Sequence, residues 1–273
     1  MSIASSAAQR VAFEARGDGP TLLFVHNAGT DRHLWGPVVD RLASRFRCVS
    51  LDLPGFGASS PVEEPTLRAH ADAVEWVVGR VGGVDALVGH CVGGAACWDL
   101  ARRRPELVPR LVLSAPATLA TMQAGPYGVL QRNLPGHPRR DRLAMAAARA
   151  VLGFPATRWA VVRSQTRVRG GARSHIDHCH ARPDHLDSLH RLLHHFASFS
   201  VLDEPDAAVS MPTMLLWGAR NRVLPVGRMA AVAGVLRPAE QHVLPAGHLA
   251  MLDEPDAFAE RVDSFVSSPH PPR

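Results

Sequence analysis

The sequence predicts a mostly parallel, doubly wound α/β sheet with a helical cap insertion, and three observations carry that prediction. Short apolar runs alternate with amphipathic stretches, the runs lack a period of two, and the rhythm stops near residue 119 and resumes near 207. A strand buried on both faces reads as a continuous apolar run, as in a parallel sheet covered by helices on each side. Right-handed crossovers join such strands, and the amphipathic stretches supply them. In order, TLLFVH (21–26), RCVSLDL (47–53), ALVGH (86–90) and RLVLSA (110–115) are expected strands, with helical spacing over 33–44, 66–78 and 92–103. After the interruption, TMLLWG (213–218) and QHVLP (241–245) are expected strands, and 226–236 and 255–265 expected helices. Residues 1–118 and 207–273 thus form one core, and 119–206 form an insertion expected to cover the sheet edge as a cap.

The chain has 273 residues, 46% hydrophobic and 20% charged, the balance of a folded globular protein and not of a disordered or fibrous one. No stretch reads as the roughly 20 apolar residues of a membrane helix, and no basic segment followed by an apolar block opens the chain. A cytoplasmic protein with no membrane association is expected. Four cysteines at 48, 91, 97 and 179 are too few and too scattered for a disulfide framework, and no CxxC pair suggests zinc. The net charge is +5 and every one of the 30 basic residues is arginine.

The distribution of charge says more than its sum. Twelve arginines, among them Arg139, Arg140 and Arg142, face six acids between residues 119 and 205, and seven of the 15 histidines fall between His175 and His195. A local positive field raises the on-rate of acidic partners. An acidic acyl carrier protein, a free anionic or CoA-linked substrate, and plain solvation of the insertion each account for it. Nucleic acid is not expected as a partner, because no reading motif and no interleaved aromatics accompany the charge. His175, His178 and His180 are close in sequence, and His190 and His194 are one turn apart. No cysteine or acid pattern of closed zinc geometry accompanies them, so no metal is expected.

Gly89-His90-Cys91-Val92-Gly93-Gly94 stands at the junction of an expected strand and helix. A sharp strand-to-helix turn needs small residues two before and two after its central residue, and it places that residue at a helix N-terminus. The positive helix end and its free N–H groups favour a thiolate and a developing oxyanion. Cys91 is therefore the candidate nucleophile, whereas Cys97, further along the helix, reads as core. His248, after the last strand in LPAGHLAMLDEP, is the candidate general base. His26-Asn27-Ala28-Gly29-Thr30 follows the first strong strand, and an N–H of Asn27 or Ala28 can pair with that of Val92 as an oxyanion hole. The turn DLPGFGAS (52–59) reads as structural. His26, His90, Thr118 and Trp217 border these motifs and are candidate substrate contacts.

With these pieces in this order, the chain resembles the α/β-hydrolase superfamily over residues 10–118 and 210–267. HNAGT stands for its HG-type loop, DLPGFGAS for its D-x-x-G-x-G-x-S turn, GHCVGG for its nucleophile elbow and AGHLAMLDEP for its catalytic histidine segment. The resemblance implies the α/β-hydrolase fold and LWGARNRVLP as the usual site of the triad acid. Three positions depart from the family pattern. Cys91 replaces serine, Asn27 replaces glycine, and Asn221 replaces the acid. An asparagine can orient an imidazole, and a cysteine needs less help than a serine, so Asn221 is expected to orient His248. The cysteine elbow is also similar to that of Dieckmann cyclases, whose acid follows the next strand. Here SAPATLAT (114–121) holds no carboxylate there, which leaves Asp203 or Asp206 as substitutes.

The expected activity is acyl transfer from a small-molecule ester or thioester through an acyl-Cys91 intermediate, with no cofactor. Natural-product biosynthesis is a setting the cyclase resemblance implies. Water as acceptor gives a hydrolase or thioesterase, and an internal carbanion, amine or hydroxyl gives a cyclase or acyltransferase. The loss of the usual carboxylate leaves a non-catalytic, ligand-binding pseudo-hydrolase as the reading from a different class.

Overall fold

The computed structural model of the protein describes residues 10–125, 128–129 and 138–269; residues 1–9 of the expected core, and the side chains of Arg139 and Arg140, lie outside the described residues. Strands β1 (Phe13–Arg16), β2 (Thr21–Val25), β3 (Arg47–Leu51), β4 (Ala86–His90), β5 (Leu111–Ser114), β6 (Thr213–Gly218) and β7 (Glu240–Leu244) form one sheet in the order β1-β3-β2-β4-β5-β6-β7. Six of them are the expected strands, paired in parallel from β3 to β7. β1 is the exception. It runs antiparallel to β3, pairing Phe13 with Leu51 through Arg16 with Cys48, and its four residues are too short and too exposed to announce a strand.

Adjacent residues of the central strands bury opposite faces, which is why no alternation shows in the sequence. Leu23, Val25, Leu87, Leu113 and Leu215 pack with α2 (Leu67–Val81) and α3 (Val92–Arg103). Leu22, Phe24, Val88, Val112 and Leu216 pack on the other side with α1 (Gly36–Leu42). Local signals set the helix bounds. Thr66 caps α2 by accepting the Ala69 N–H at 3.2 Å, and the helix runs on to Val81, three residues beyond the expected end, before a left-handed Gly82.

Between β5 and β6 the chain runs through α4 (Leu119–Gln123), α5 (Pro138–Gly153), α6 (Pro155–Gln165), α7 (Gly171–Ala181) and α8 (Pro183–His195). The core then closes with α9 (Met229–Leu236), α10 (Ala250–Asp253) and α11 (Pro255–Ser267). α8 fastens the cap to the DLPGFGAS turn, since Gly57 N–H donates to His185 Nε2 at 2.9 Å and Ser188 Oγ donates to Gly55 O at 2.6 Å. Several cap arginines are compensated locally. Arg149 pairs with Asp187 at 2.5 Å, Arg158 with Asp177 at 3.0 Å and Arg182 with Asp184 at 2.5 Å, while Arg173 lies over Trp159. The insertion is therefore less uniformly positive than its composition.

His70 and His90 are fully buried in this core, and burial pushes both down to about 4. The unfolded chain takes up protons near the ordinary value of about 6.5 while the native groups stay neutral, so each adds stability above pH 7 that drains away as the pH falls toward 4. His175, raised by Asp31, works in the opposite direction. Each depressed histidine steepens the loss by up to about 1.4 kcal/mol per pH unit. Urea denaturation at pH 7 and pH 5 should show a smaller pH dependence in His70→Leu than in wild type. Equal dependence in the two proteins would contradict a neutral, buried His70.

Candidate active site

β4 ends at His90 and α3 begins at Val92, so Cys91 alone makes the turn, with φ 52° and ψ −115°. A non-glycine residue held there costs on the order of 1–3 kcal/mol and persists only where its surroundings enforce it. Here the Cys91 N–H donates to Ser114 O at 3.0 Å, and the Ala117 N–H donates to Cys91 O at 3.0 Å. The glycines are dictated by space. A Cβ on Gly89 would lie 2.7 Å from Gly93 O, and one on Gly93 would lie 2.3 Å from His26 O. The second contact presses the elbow against the loop that follows β2.

That packing opens a cavity of about 550 Å³ between core and cap, lined on the core side by Asn27, Ala28, Cys91, Val92 and His248. Val92 is the first residue of α3, so its N–H has no acceptor within the helix. The facing wall is largely apolar and comes from α5 and from α8 and its end, the latter contributing Leu186, Leu189, Leu193 and Phe196. Sequence reasoning did not assign these four, although their helical spacing was the available signal.

Burial governs the protonation of the pair. It pushes the Cys91 thiol up to about 12, against a smaller downward pull from the Val92 N–H. Burial also drives His248 well below its ordinary range, helped by the neighbouring His90, whose ring centre is 4.5 Å away. The expected thiolate at the helix terminus is thus corrected: desolvation outweighs the helix end, and both groups rest neutral.

The sequence profile of the alpha/beta hydrolase family matches residues 22–261. The chain belongs to the alpha/beta hydrolase family. It is 28% identical over 287 residues to an uncharacterised protein of Mycobacterium tuberculosis, covering 96% of this chain and 80% of that one. It is 27% identical over 259 residues to a pimeloyl-[acyl-carrier protein] methyl ester esterase of Nitrosomonas europaea, covering 92% and 98%. Among solved structures, the fold matches an esterase from Thermogutta terrifontis with a TM-score of 0.72 at 22% identity, over 94% of this chain and 92% of that one. It matches the enol-lactonase from Burkholderia xenovorans LB400 with a TM-score of 0.76 at 17% identity, over 94% and 96%.

The hydrolase places its other expected site residues differently. Asn221 lies in the loop after β6, but its Oδ1 accepts the N–H groups of Val223 at 3.0 Å and Leu224 at 2.9 Å. Its Nδ2 and His248 Nδ1 are both buried without a hydrogen-bond partner, so Asn221 braces its own loop and makes no bond to His248. Neither substitute acid takes that place: Asp203 Oδ2 accepts the Ala120 N–H at 2.9 Å at the start of α4, and Asp206 is exposed. The four candidate substrate contacts are corrected to structural roles, and none lines the cavity. His26 ties its loop to the next turn, with Nδ1 donating to Asn27 O at 2.7 Å and Nε2 accepting the Leu53 N–H at 2.9 Å. His90 Nδ1 donates to Ser114 O at 2.9 Å, Thr118 caps α4, and Trp217 Nε1 donates to Leu224 O at 2.9 Å.

The histidines of the cap separate. His178 is exposed, and His180 bonds Ile176 O at 2.8 Å and Gln165 Nε2 at 3.0 Å. Two sets among the described residues converge as metal ligands could: Asp31 with His175 and Cys179, and Asp141 with His190 and His194. A second cavity, of about 510 Å³, is lined by Arg163, Arg167, Arg220 and Arg222 and shares Gln165 with the first.

A neutral Cys91 makes a direct prediction. Iodoacetamide labelling of Cys91, followed by peptide mass spectrometry, should accelerate about tenfold per pH unit from 7 to 10 without a plateau. A plateau near neutral pH would show a preformed thiolate and contradict the burial of the thiol.

Proposed function

We propose that this hydrolase transfers the acyl group of an ester or thioester with an apolar acyl chain, through a thioester on Cys91. The observation that carries the reading is the sharing of one largely apolar cavity by Cys91, on its strained elbow, and His248. Cys91 Sγ attacks the carbonyl carbon while His248 takes the thiol proton, and the N–H groups of Val92 and of Asn27 or Ala28 receive the oxyanion. The C–O or C–S bond to the leaving group breaks, and that group departs with the proton from His248. Water, deprotonated by His248, then attacks the thioester and regenerates the thiol. An internal carbanion in place of water would give a cyclised product from the same intermediate.

A missing carboxylate suits this nucleophile. A thiol gives up its proton more readily than a hydroxyl, so an imidazole without an anionic partner suffices as base. The apolar cap wall supports an acyl chain as the buried portion of the substrate.

An acidic acyl carrier protein is the proposed presenter of that chain. The groove of Arg163, Arg167, Arg220 and Arg222 adjoins the acyl cavity at Gln165 and suits an anionic arm. The name of the Nitrosomonas europaea relative also joins a carrier-bound acyl group to ester hydrolysis.

Turnover of a carrier-bound acyl thioester and of a small thioester with the same acyl group tests both parts. Cys91→Ala and His248→Ala should each lower kcat/KM on both substrates by about 10⁴-fold or more. Arg163→Glu with Arg167→Glu and Arg222→Glu should lower kcat/KM at least about tenfold for the carrier substrate, with a weakened salt dependence, and leave the small thioester unchanged. Turnover retained by Cys91→Ala would overturn the mechanism, and equal losses on both substrates in the arginine variant would overturn the carrier.

A further inference from the structure

His175 and Cys179 lie one turn apart on α7 of the cap, and the loop after β2 brings Asp31 to them from 144 residues away. His175 Nε2 is 2.8 Å from Asp31 Oδ1 and 3.4 Å from Cys179 Sγ, and Cys179 Sγ is 3.6 Å from Asp31 Oδ2. Asp31 and Cys179 are buried. We infer that these three side chains bind a zinc ion that clamps the cap to the loop behind the nucleophile elbow, with Cys179 at the far wall of the cavity that Cys91 and His248 share.

The geometry separates a metal site from a catalytic relay. A cysteine–histidine–aspartate relay uses the two ring nitrogens in turn, one facing the thiol and the other the carboxylate. Here a single nitrogen, Nε2, faces both the sulfur and the carboxylate oxygen Oδ1, so one donor atom from each of the three side chains lies within 4.8 Å of the others. Zinc bonds of about 2.0 Å to nitrogen or oxygen and 2.3 Å to sulfur set tetrahedral edges of roughly 3.3–3.5 Å. The two separations from the sulfur, 3.4 Å and 3.6 Å, match these edges. The 2.8 Å hydrogen bond between His175 and Asp31 must open by about 0.5 Å to admit the ion.

The donor chemistry and the charge agree with that geometry. Imidazole, carboxylate and thiolate are a zinc donor set. Zinc(II) with one thiolate, one carboxylate and neutral imidazole is uncharged as a unit, which suits a buried position. Asp31 also has outer support: it accepts the His33 N–H at 3.0 Å, and the His33 ring packs edge-on against His175 with centres 5.5 Å apart. Because the thiol must give its proton to solvent on binding, affinity falls as the pH drops. The competing set, Asp141 with His190 and His194, has no buried member and no sulfur.

The test uses the full chain, stripped with a chelator, desalted and titrated with zinc or cobalt alone. Wild type should retain one zinc per chain, and cobalt should give a thiolate-to-metal charge-transfer absorption that survives Cys91→Ser and disappears in Cys179→Ser. Asp31→Asn and His175→Ala should each raise the zinc Kd more than about 100-fold, beyond the roughly 10–100-fold cost of losing an outer partner. Zinc should raise the Tm of wild type and not that of Cys179→Ser, a comparison that holds even if the variant starts less stable. Failure to retain zinc in wild type would overturn the site. So would a charge-transfer band that survives Cys179→Ser, or zinc lost on His194→Ala and kept on His175→Ala.

Discussion

The contact between α3 and the loop after β2 sets the geometry of everything around it. Gly93 has no room for a side chain because the carbonyls of Val25 and His26 close on it, and that closeness brings the start of α3 against Asn27 and Ala28. The same turn forces Cys91 into a positive φ and points its residue into the space between core and cap. His26, braced at both ring nitrogens, keeps the loop at that distance by tying it to the turn after β3. The position of Cys91, the nearness of Val92 to Asn27 and Ala28, and this wall of the cavity are thus consequences of one close backbone approach.

Burial then decides the chemistry. A seryl hydroxyl beside an imidazole with no carboxylate partner would be a poor nucleophile, and this chain has cysteine at that point. Burial favours the neutral form of both Cys91 and His248, so the proposed mechanism moves the proton only when a carbonyl is in place. The elbow that favours an oxyanion does not by itself create a thiolate, since the cost of burying charge exceeds what the helix end returns.

Much of this was legible in the sequence because it follows from local rules. The apolar runs that lack alternation became the parallel strands, and the glycines around Cys91 marked the elbow that the backbone contacts require. What was not legible depends on long-range approach. β1 exists only because β3 offers an unpaired edge, and nothing in FEAR announces it. Asn221 looked like a partner for His248 because it stands where an acid usually stands, yet its carbonyl oxygen is occupied by the next two N–H groups of its own loop. Asp31 was invisible as a companion of His175 and Cys179, since only the folding of the cap over the core brings it there. His26, His90, Thr118 and Trp217 border the motifs in sequence, but their polar atoms are spent on structure.

The proposed mechanism requires a covalent acyl group at Cys91. Rapid mixing of the enzyme with an excess of an activated acyl thioester, acid quenching and intact-mass analysis read it directly. A mass increase of one acyl group should appear within the first turnover, map to the peptide that contains Cys91, be absent in Cys91→Ala and accumulate only slowly in His248→Ala. Full turnover by wild type with no adduct on Cys91, or an adduct on another residue that forms and decays at the rate of turnover, would contradict it.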